Sequence, residues 1–553
     1  MNLRTSIDFK YALFIAFVFL LLILDLGAYS LAETSEARYA EIAREMYLSH
    51  DYLNPTLLGV LHFHKPPITY YLTSLGYELF GINEFGARFF MQLAVVIQLI
   101  MVYLLANILL KNKKLSFTAG LIYFSMPLLL ISSRNLTTDA YLTTFILAAL
   151  TSWHYYTSRK IVIYLYVSYL MVGIALLTKG PVALLFILTY IIIYKILLKS
   201  GSKINKHHIL GLILCVGVGA SWYLLVVYKN PKLWNYFVHK QILSRINADS
   251  FNRSKPFWYY VPIVFGLLLP WLVGLIPDFK KKLQSVFGIK KEMQLLLITS
   301  LILFLLFSVF TTKLIMYILP AFWMLAIFIA YALYNASLKT CTAIEITYFI
   351  LLGSLMTGIP LCYHFQFEFL HVTRKTAFIS FFSTLSAFAL FYSLKNFQSL
   401  RTPVLAACFG IVLISTSTGV LEHNNEAINA MRDEVSFIRA ESKGSKPNII
   451  VYDYLLSSIP FYIGANQITL KDSHNTADRE VQFQNDQEWK KKLWDVHDPK
   501  IITDLKILTK EKNTFLLIRK KHGLSKELSF LKKAFSSKKS SAKWIILYNS
   551  KKA

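Results

Sequence analysis

Thirteen apolar runs, each close to the length of a bilayer crossing, constrain this chain more than any other feature. They lie at about 11–31, 89–110, 115–132, 140–157, 161–178, 182–198, 209–228, 257–276, 294–310, 314–333, 344–363, 378–394 and 403–420. A helix needs about 17–25 mostly apolar residues to cross the hydrocarbon core. Inside that core every backbone N–H and C=O must be satisfied within the helix itself. A single soluble core has no use for so many separate runs. Composition agrees, with 55% hydrophobic residues, 16% charged residues and a mean hydropathy of +0.48. A soluble domain carries about 25% charged residues. The sequence therefore predicts an all-α polytopic membrane protein. Arg4 and Lys10 precede the first run, which is too long for the apolar stretch of a cleaved leader and has no A-x-A site after it, so it reads as a retained anchor. Asp25, inside that run, is costly in a bilayer and calls for a partner near the outer surface.

The net charge of +27 would suggest nucleic acid on a soluble protein. Here the basic residues concentrate in short linkers: KNKK at 111–114, SRK at 158–160, KSGSKINK at 199–206, the lysines at 280–282 and 290–291, and Lys339, Lys395 and Arg401. Short basic linkers mark the cytoplasmic side and sit against anionic lipid. No RNA-binding motif, P-loop or dinucleotide fingerprint accompanies them. With the N-terminus inside, two long polar loops, 32–88 and 229–256, fall outside, as does everything after residue 421. The four cysteines, Cys215, Cys341, Cys362 and Cys408, have no CxxC spacing and read as buried small hydrophobes.

The predicted organisation is a transmembrane domain over 1–421 and a soluble domain over 422–553. The second segment holds 24 Lys+Arg against 16 Asp+Glu, a net +8. Short β-like runs, NIIVYDY at 448–454, TFLLIR at 514–519 and WIILY at 544–548, alternate with helical stretches and predict a small α/β domain.

The outer loops carry the chemistry. In AETSEARYAEIAREMYL, residues Tyr39, Ile42, Ala43, Met46 and Tyr47 share one helical face, and Arg38, Glu41 and Glu45 another. This predicts an amphipathic helix capped by Thr34 or Ser35, able to lie at the membrane surface. LHFHKPPITYY follows, where Pro66-Pro67 holds Lys65 on an extended segment. Asp139 stands at the mouth of the fourth run, Lys179 at a tight hairpin in LLTKGPVALL, and Arg245, Arg253 and Lys255 precede PFWYY. Lys313 and Tyr317 occur in TTKLIMYILP. A sugar leaving a lipid phosphate builds negative charge on the phosphate oxygen, which cations such as Arg38, Lys65 and Arg253 stabilise. A carboxylate such as Glu36 or Asp139 can take a proton from an acceptor hydroxyl or orient the acceptor.

SEARYAEIAREM, HKPPITYY, TTDA, LLTKGPVALL, RSKPFWYY and KLIMYILP together resemble the aminoarabinose transferases of bacterial lipid A, relatives of the protein O-mannosyltransferases. The likeness runs over roughly residues 10–420. It implies a GT-C fold of about thirteen spans and an undecaprenyl-phosphate-linked sugar as donor. The site would face the periplasm from the bacterial inner membrane. It implies donor-phosphate contacts at Arg38, Lys65, Tyr317 and Arg253, with Arg245 as second choice, and an acid at Asp139. The resemblance also shows two departures. The family's Asp-Glu pair before Arg-Tyr-Ala-Glu reads Ser35-Glu36 here, which leaves Glu36 or Glu33 as the acid. The family's glutamate before Lys-Pro-Pro is His64. An acceptor phosphate, already ionised, would need no strong base.

His62 and His64 alternate on the extended segment and, with Glu36, are the candidate ligands of a divalent metal, although two histidines alone do not make a site. His64 as a polar donor contact is the simpler role. The expected function is sugar transfer from polyprenyl phosphate to lipid A or another envelope acceptor. Transfer to protein hydroxyls is the alternative. A transporter or flippase would place ionisable groups near the bilayer midplane on broken helices, whereas here they gather at the outer boundary.

Overall fold

The computed structural model describes residues 7–199, 204–243, 254–277, 288–368, 370–472, 479 and 481–549. The chain forms two compact units. One comprises residues 1–26, 65–69 and 88–420, and the other residues 27–64, 70–87 and 421–553. Residues 27–64 and 70–87 of the first long loop thus group with the C-terminal segment.

The first unit is helical. Every one of the thirteen apolar runs contains helix, and the helices differ in length. Eight helices among the described residues are long and apolar enough to cross a membrane, including Glu84–Leu110, Lys206–Lys229, Ile315–Tyr334 and Leu338–Phe365. A ninth crossing arises if Lys113–Ser125 and Pro127–Ser133, bent by 63°, count as one. The break follows from Pro127, which keeps Met126 extended at ψ 121°. Phe9–Ile23, Val182–Leu198 and Phe257–Leu267 are shorter apolar helices. The first run stops at Ile23, before its expected end at 31. Asp25 then adopts φ 52° outside the helix, and its carboxylate lies 3.7 Å from Lys375.

Helix starts obey capping chemistry. Asn112, Asn205, Ser337 and Thr373 each accept a hydrogen bond from a backbone N–H of the first turn. Tyr11 donates to the Leu99 carbonyl at 2.7 Å, and a Cβ on Gly120 would stand 2.3 Å from the same phenol oxygen. Arg401, expected as a topology-setting charge, makes a two-pronged contact with the buried Glu345 at 3.1 and 2.7 Å, and Thr402 donates to the same carboxylate at 2.7 Å. A pair closed this way tolerates the low dielectric.

The second unit is built on a six-stranded sheet. A small hairpin, β1 (Thr56–Leu57) and β2 (Val60–Leu61), turns through Leu58 and Gly59, both at positive φ. The main strands are β3 (Asn448–Tyr452), β4 (Gln467–Lys471), β5 (Leu493–Asp495), β6 (Thr514–Arg519), β7 (Ser537–Ser540) and β8 (Trp544–Asn549). Their order is β5-β4-β3-β6-β8-β7, with β3 to β6 parallel and β7 and β8 antiparallel. Ile449, Val451, Phe515 and Leu517 pack on one face, and Ile450, Tyr452, Leu516 and Ile518 on the other. Both faces are covered, so these strands read as continuous apolar runs.

Candidate active site

In the first unit the structure brings together three of the sequence-selected residues. Asp139 lies in the first turn of the helix Thr138–Arg159, and Lys179 ends the helix Val162–Lys179. Gly180, at φ 81°, caps that end, a conformation a side chain would strain. Lys179 donates to the Asp139 carboxylate across 40 residues of sequence, and only 9% and 8% of the two side chains is exposed. The ammonium also sits over the Tyr317 ring, 4.1 Å from its centre. Asp139 therefore does more than end a span.

Tyr317 is positioned by a web the sequence did not reveal. Lys313 is buried and donates to the carbonyls of Lys255 and Phe310. Ser254 bridges Thr312, and Lys255 N–H donates to the Thr311 carbonyl at 3.2 Å. Tyr260 donates to the Leu314 carbonyl at 3.0 Å. Lys313 thus ties the end of the second outer loop to the 310–317 segment rather than facing a ligand. Arg134 and Arg88, both buried, donate to the Leu22 and Leu26 carbonyls at 2.8 and 3.1 Å. Nothing in their local sequence separates them from topology-setting charge. Lys65 lies half-buried in the bend before the helix Ile68–Phe80. Arg245 and Arg253 fall outside the described residues.

In the second unit Glu36 and Arg38 ride on the helix Ser35–Ser49. This helix does not lie free at a surface, because Glu36, Ala37, Ala40, Glu41, Ile42, Ala43 and Met46 are all buried. Ser74 and Tyr77 donate to the Ala43 and Ala40 carbonyls at 3.0 and 2.9 Å. Glu41 grips Arg44 through two bonds of 2.7 Å. The helix start is not capped by the Thr34 side chain. The Glu36 carboxylate instead accepts from Ala32 N–H at 2.9 Å. Arg38 is half-buried.

Glu33 is committed elsewhere. Its carboxylate accepts from the N–H groups of Ser457 and Ser458 at 3.0 and 2.6 Å. Its own N–H and C=O pair with Asn429 at 3.0 and 3.1 Å. Leu31 N–H donates to the Tyr462 hydroxyl at 2.8 Å. Burial pushes the Glu33 carboxyl up to about 7, against the opposing pull of the two serines and of Arg38. The native group thus takes its proton at higher pH than the unfolded one, whose reference value is 4.5. Its contribution to stability is fullest at low pH and declines as pH rises through 7. The expected result is a melting temperature, relative to Glu33→Gln, that falls between pH 5 and 8. Parallel pH profiles for the two proteins would refute it.

The rings of His62 and His64 stack at 3.9 Å and 19°. Stacked faces do not aim two nitrogen lone pairs at one point, and among the described residues no three His, Cys, Asp or Glu groups converge as a metal site. The metal expectation therefore finds no fit in this pair.

Comparison with known proteins follows the same lines. Residues 64–223 match the family described as dolichyl-phosphate-mannose-protein mannosyltransferase. The undecaprenyl phosphate-alpha-4-amino-4-deoxy-L-arabinose arabinosyl transferase 2 of Proteus mirabilis is 30% identical over 324 residues, which is 58% of each chain. The corresponding transferase of Photorhabdus laumondii is 32% identical over 330 residues, again 58% of each. The matched stretch thus spans under two thirds of these relatives. ArnT from Cupriavidus metallidurans, in crystals with bound undecaprenyl phosphate and in the apo state, superposes with a TM-score of 0.77. That match has 20% identity and covers 97% of both chains. This multi-pass membrane chain thus shares the GT-C-type fold of ArnT with its C-terminal α/β domain, and in sequence it is similar to the aminoarabinose and mannosyl transferases that use lipid-linked sugars.

Proposed function

We propose that this chain is a membrane glycosyltransferase that moves a sugar from an undecaprenyl-phosphate-type donor to lipid A or another envelope acceptor. The observation that carries the reading is the Asp139–Lys179–Tyr317 cluster, a nearly buried ammonium held in place within a fold shared with an undecaprenyl-phosphate-binding protein. The reaction breaks the bond between the anomeric carbon and a phosphate oxygen, and the electron pair stays with the phosphate. Lys179, Arg38, Lys65 and Arg253 are the cations that would meet that charge, with Arg245 in reserve, and pre-positioned charge of this kind supplies much of an enzyme's rate. Asp139 is committed to the ion pair, so its role in this reading is to hold Lys179. Tyr317 supports the same ammonium, and His64 contacts the donor. Glu36 receives the acceptor proton, or faces an acceptor phosphate that has none to give.

The site is proposed to face the periplasm of a bacterial inner membrane. Reporter fusions after residues 65 and 430 should be active only in the periplasm. Cytoplasmic activity at either would place the reaction on the other side. The acceptor is tested by mass spectrometry of lipid A and of glycoproteins from a deletion strain. Loss of a sugar on lipid A supports the reading. Loss confined to protein would move it to protein O-glycosylation, the activity named in the family description for residues 64–223.

A further inference from the structure

A polar cleft of about 370 Å³ opens within the second unit, lined by residues that the donor and acceptor assignments do not use. One wall is the helix Arg432–Ser442, which presents Arg432, Ser436 and Arg439 at i, i+4 and i+7 and hence along one stripe. Asn83, Glu84 and Tyr462 also line the cleft. Each guanidinium is pinned by a main-chain carbonyl, Arg432 by Ala28 at 2.8 Å and Arg439 by Tyr462. A guanidinium has five N–H donors, so a single carbonyl fixes its place while leaving donor capacity for a ligand. Glu84 stands 3.6 Å from Arg432, beyond hydrogen-bond distance, so the carboxylate balances charge without being locked. The cleft therefore offers two fixed cations and one carboxylate within one small volume.

We infer that this cleft binds a zwitterionic headgroup in which a phosphate and a primary ammonium are joined by a short linker, the chemistry of phosphoethanolamine. The phosphate takes the two arginines and the Ser436 hydroxyl, and planar guanidinium forks suit phosphate oxygens. The ammonium takes Glu84. A carboxylate placed against an anion site repels ligands that are only anionic, which matters on a chain with a net charge of +27. Glu84 is also the first residue of the 27-residue apolar helix Glu84–Leu110. A membrane crossing begins at headgroup depth, so a lipid is the natural source, and free phosphoethanolamine shares the same chemistry. The inference does not depend on sugar transfer.

Titration calorimetry on the full chain in neutral detergent tests it, with dihexanoyl phosphatidylethanolamine, phosphatidylcholine and phosphatidic acid, and with free phosphoethanolamine. Phosphatidylethanolamine should bind saturably and about tenfold tighter than phosphatidylcholine, whose quaternary ammonium cannot donate to Glu84. Arg439 is exposed, so Arg439→Gln should fold normally and weaken both phosphatidylethanolamine and phosphatidic acid. Glu84→Gln should weaken phosphatidylethanolamine and tighten phosphatidic acid. Free phosphoethanolamine binding as tightly as the lipid would identify a soluble ligand, and much weaker binding a lipid one. Equal affinity for phosphatidylethanolamine and phosphatidylcholine, or a preference unchanged in Glu84→Gln, would overturn the inference.

Discussion

Replacing Asp139 by asparagine is expected to lower sugar transfer by about 10²–10³-fold, the range seen when a pre-positioned electrostatic contact is lost. The carboxylate and the Lys179 ammonium are both nearly buried, and the amide would leave that ammonium without its counter-charge. Removing one partner of a buried pair also costs about 3–5 kcal/mol of stability. Lys179→Met should show the same double loss. The combination Asp139→Asn with Lys179→Met separates the two effects. Two neutral side chains leave no unpaired charge, so the double variant should regain most of the stability. It should not regain activity, because the cation is gone. Thermal melting and turnover of polyprenyl-phosphate sugar, measured on the same preparations, provide the check. A stable and active double variant would make the pair a structural pin and move the phosphate site away from Lys179.

Glu36→Gln carries the second large effect. The amide keeps the shape and still accepts from Ala32 N–H, so the helix Ser35–Ser49 should keep its start. It cannot take a proton, and loss of a general base typically costs about 10²–10⁴-fold. Donor binding should survive. Glu33→Gln should affect transfer far less, because the Glu33 carboxylate is occupied by the Ser457 and Ser458 N–H groups. Donor binding and single-turnover rates for both variants distinguish three outcomes. Loss only in Glu36→Gln supports the assignment. Loss only in Glu33→Gln moves the acid to Glu33. Full activity in both points to an acceptor phosphate that arrives ionised and needs no base from this loop.

Much of this molecule was legible without coordinates, for reasons that are local. Apolar length is enough to announce a membrane helix, because each crossing satisfies its own backbone. Strand residues such as Ile449–Tyr452 and Phe515–Ile518 carry their period in neighbouring positions, so the α/β tail was visible too. The motifs around Arg38, Lys65, Asp139, Lys179 and Tyr317 pointed to a polyprenyl-phosphate transferase family. Pattern alone did not say which side chain would hold which. Asp139 finds Lys179 from 40 residues away, and Glu33 finds Ser457 from 424. The same holds for the helix Ser35–Ser49, which reads as a surface helix by periodicity yet buries Glu36 and Glu41 once the second unit assembles. It holds for Lys313, whose local sequence gives no sign that it donates to the Lys255 and Phe310 carbonyls. Periodicity records the faces of an element. Ion pairing and burial depend on what packs against those faces, because a charge leaves water only where a partner from another segment compensates it. The sequence by itself therefore determined the apolar helices and the strands β3, β6 and β8, while the tertiary structure alone decided which charges act in pairs and which merely fasten the fold.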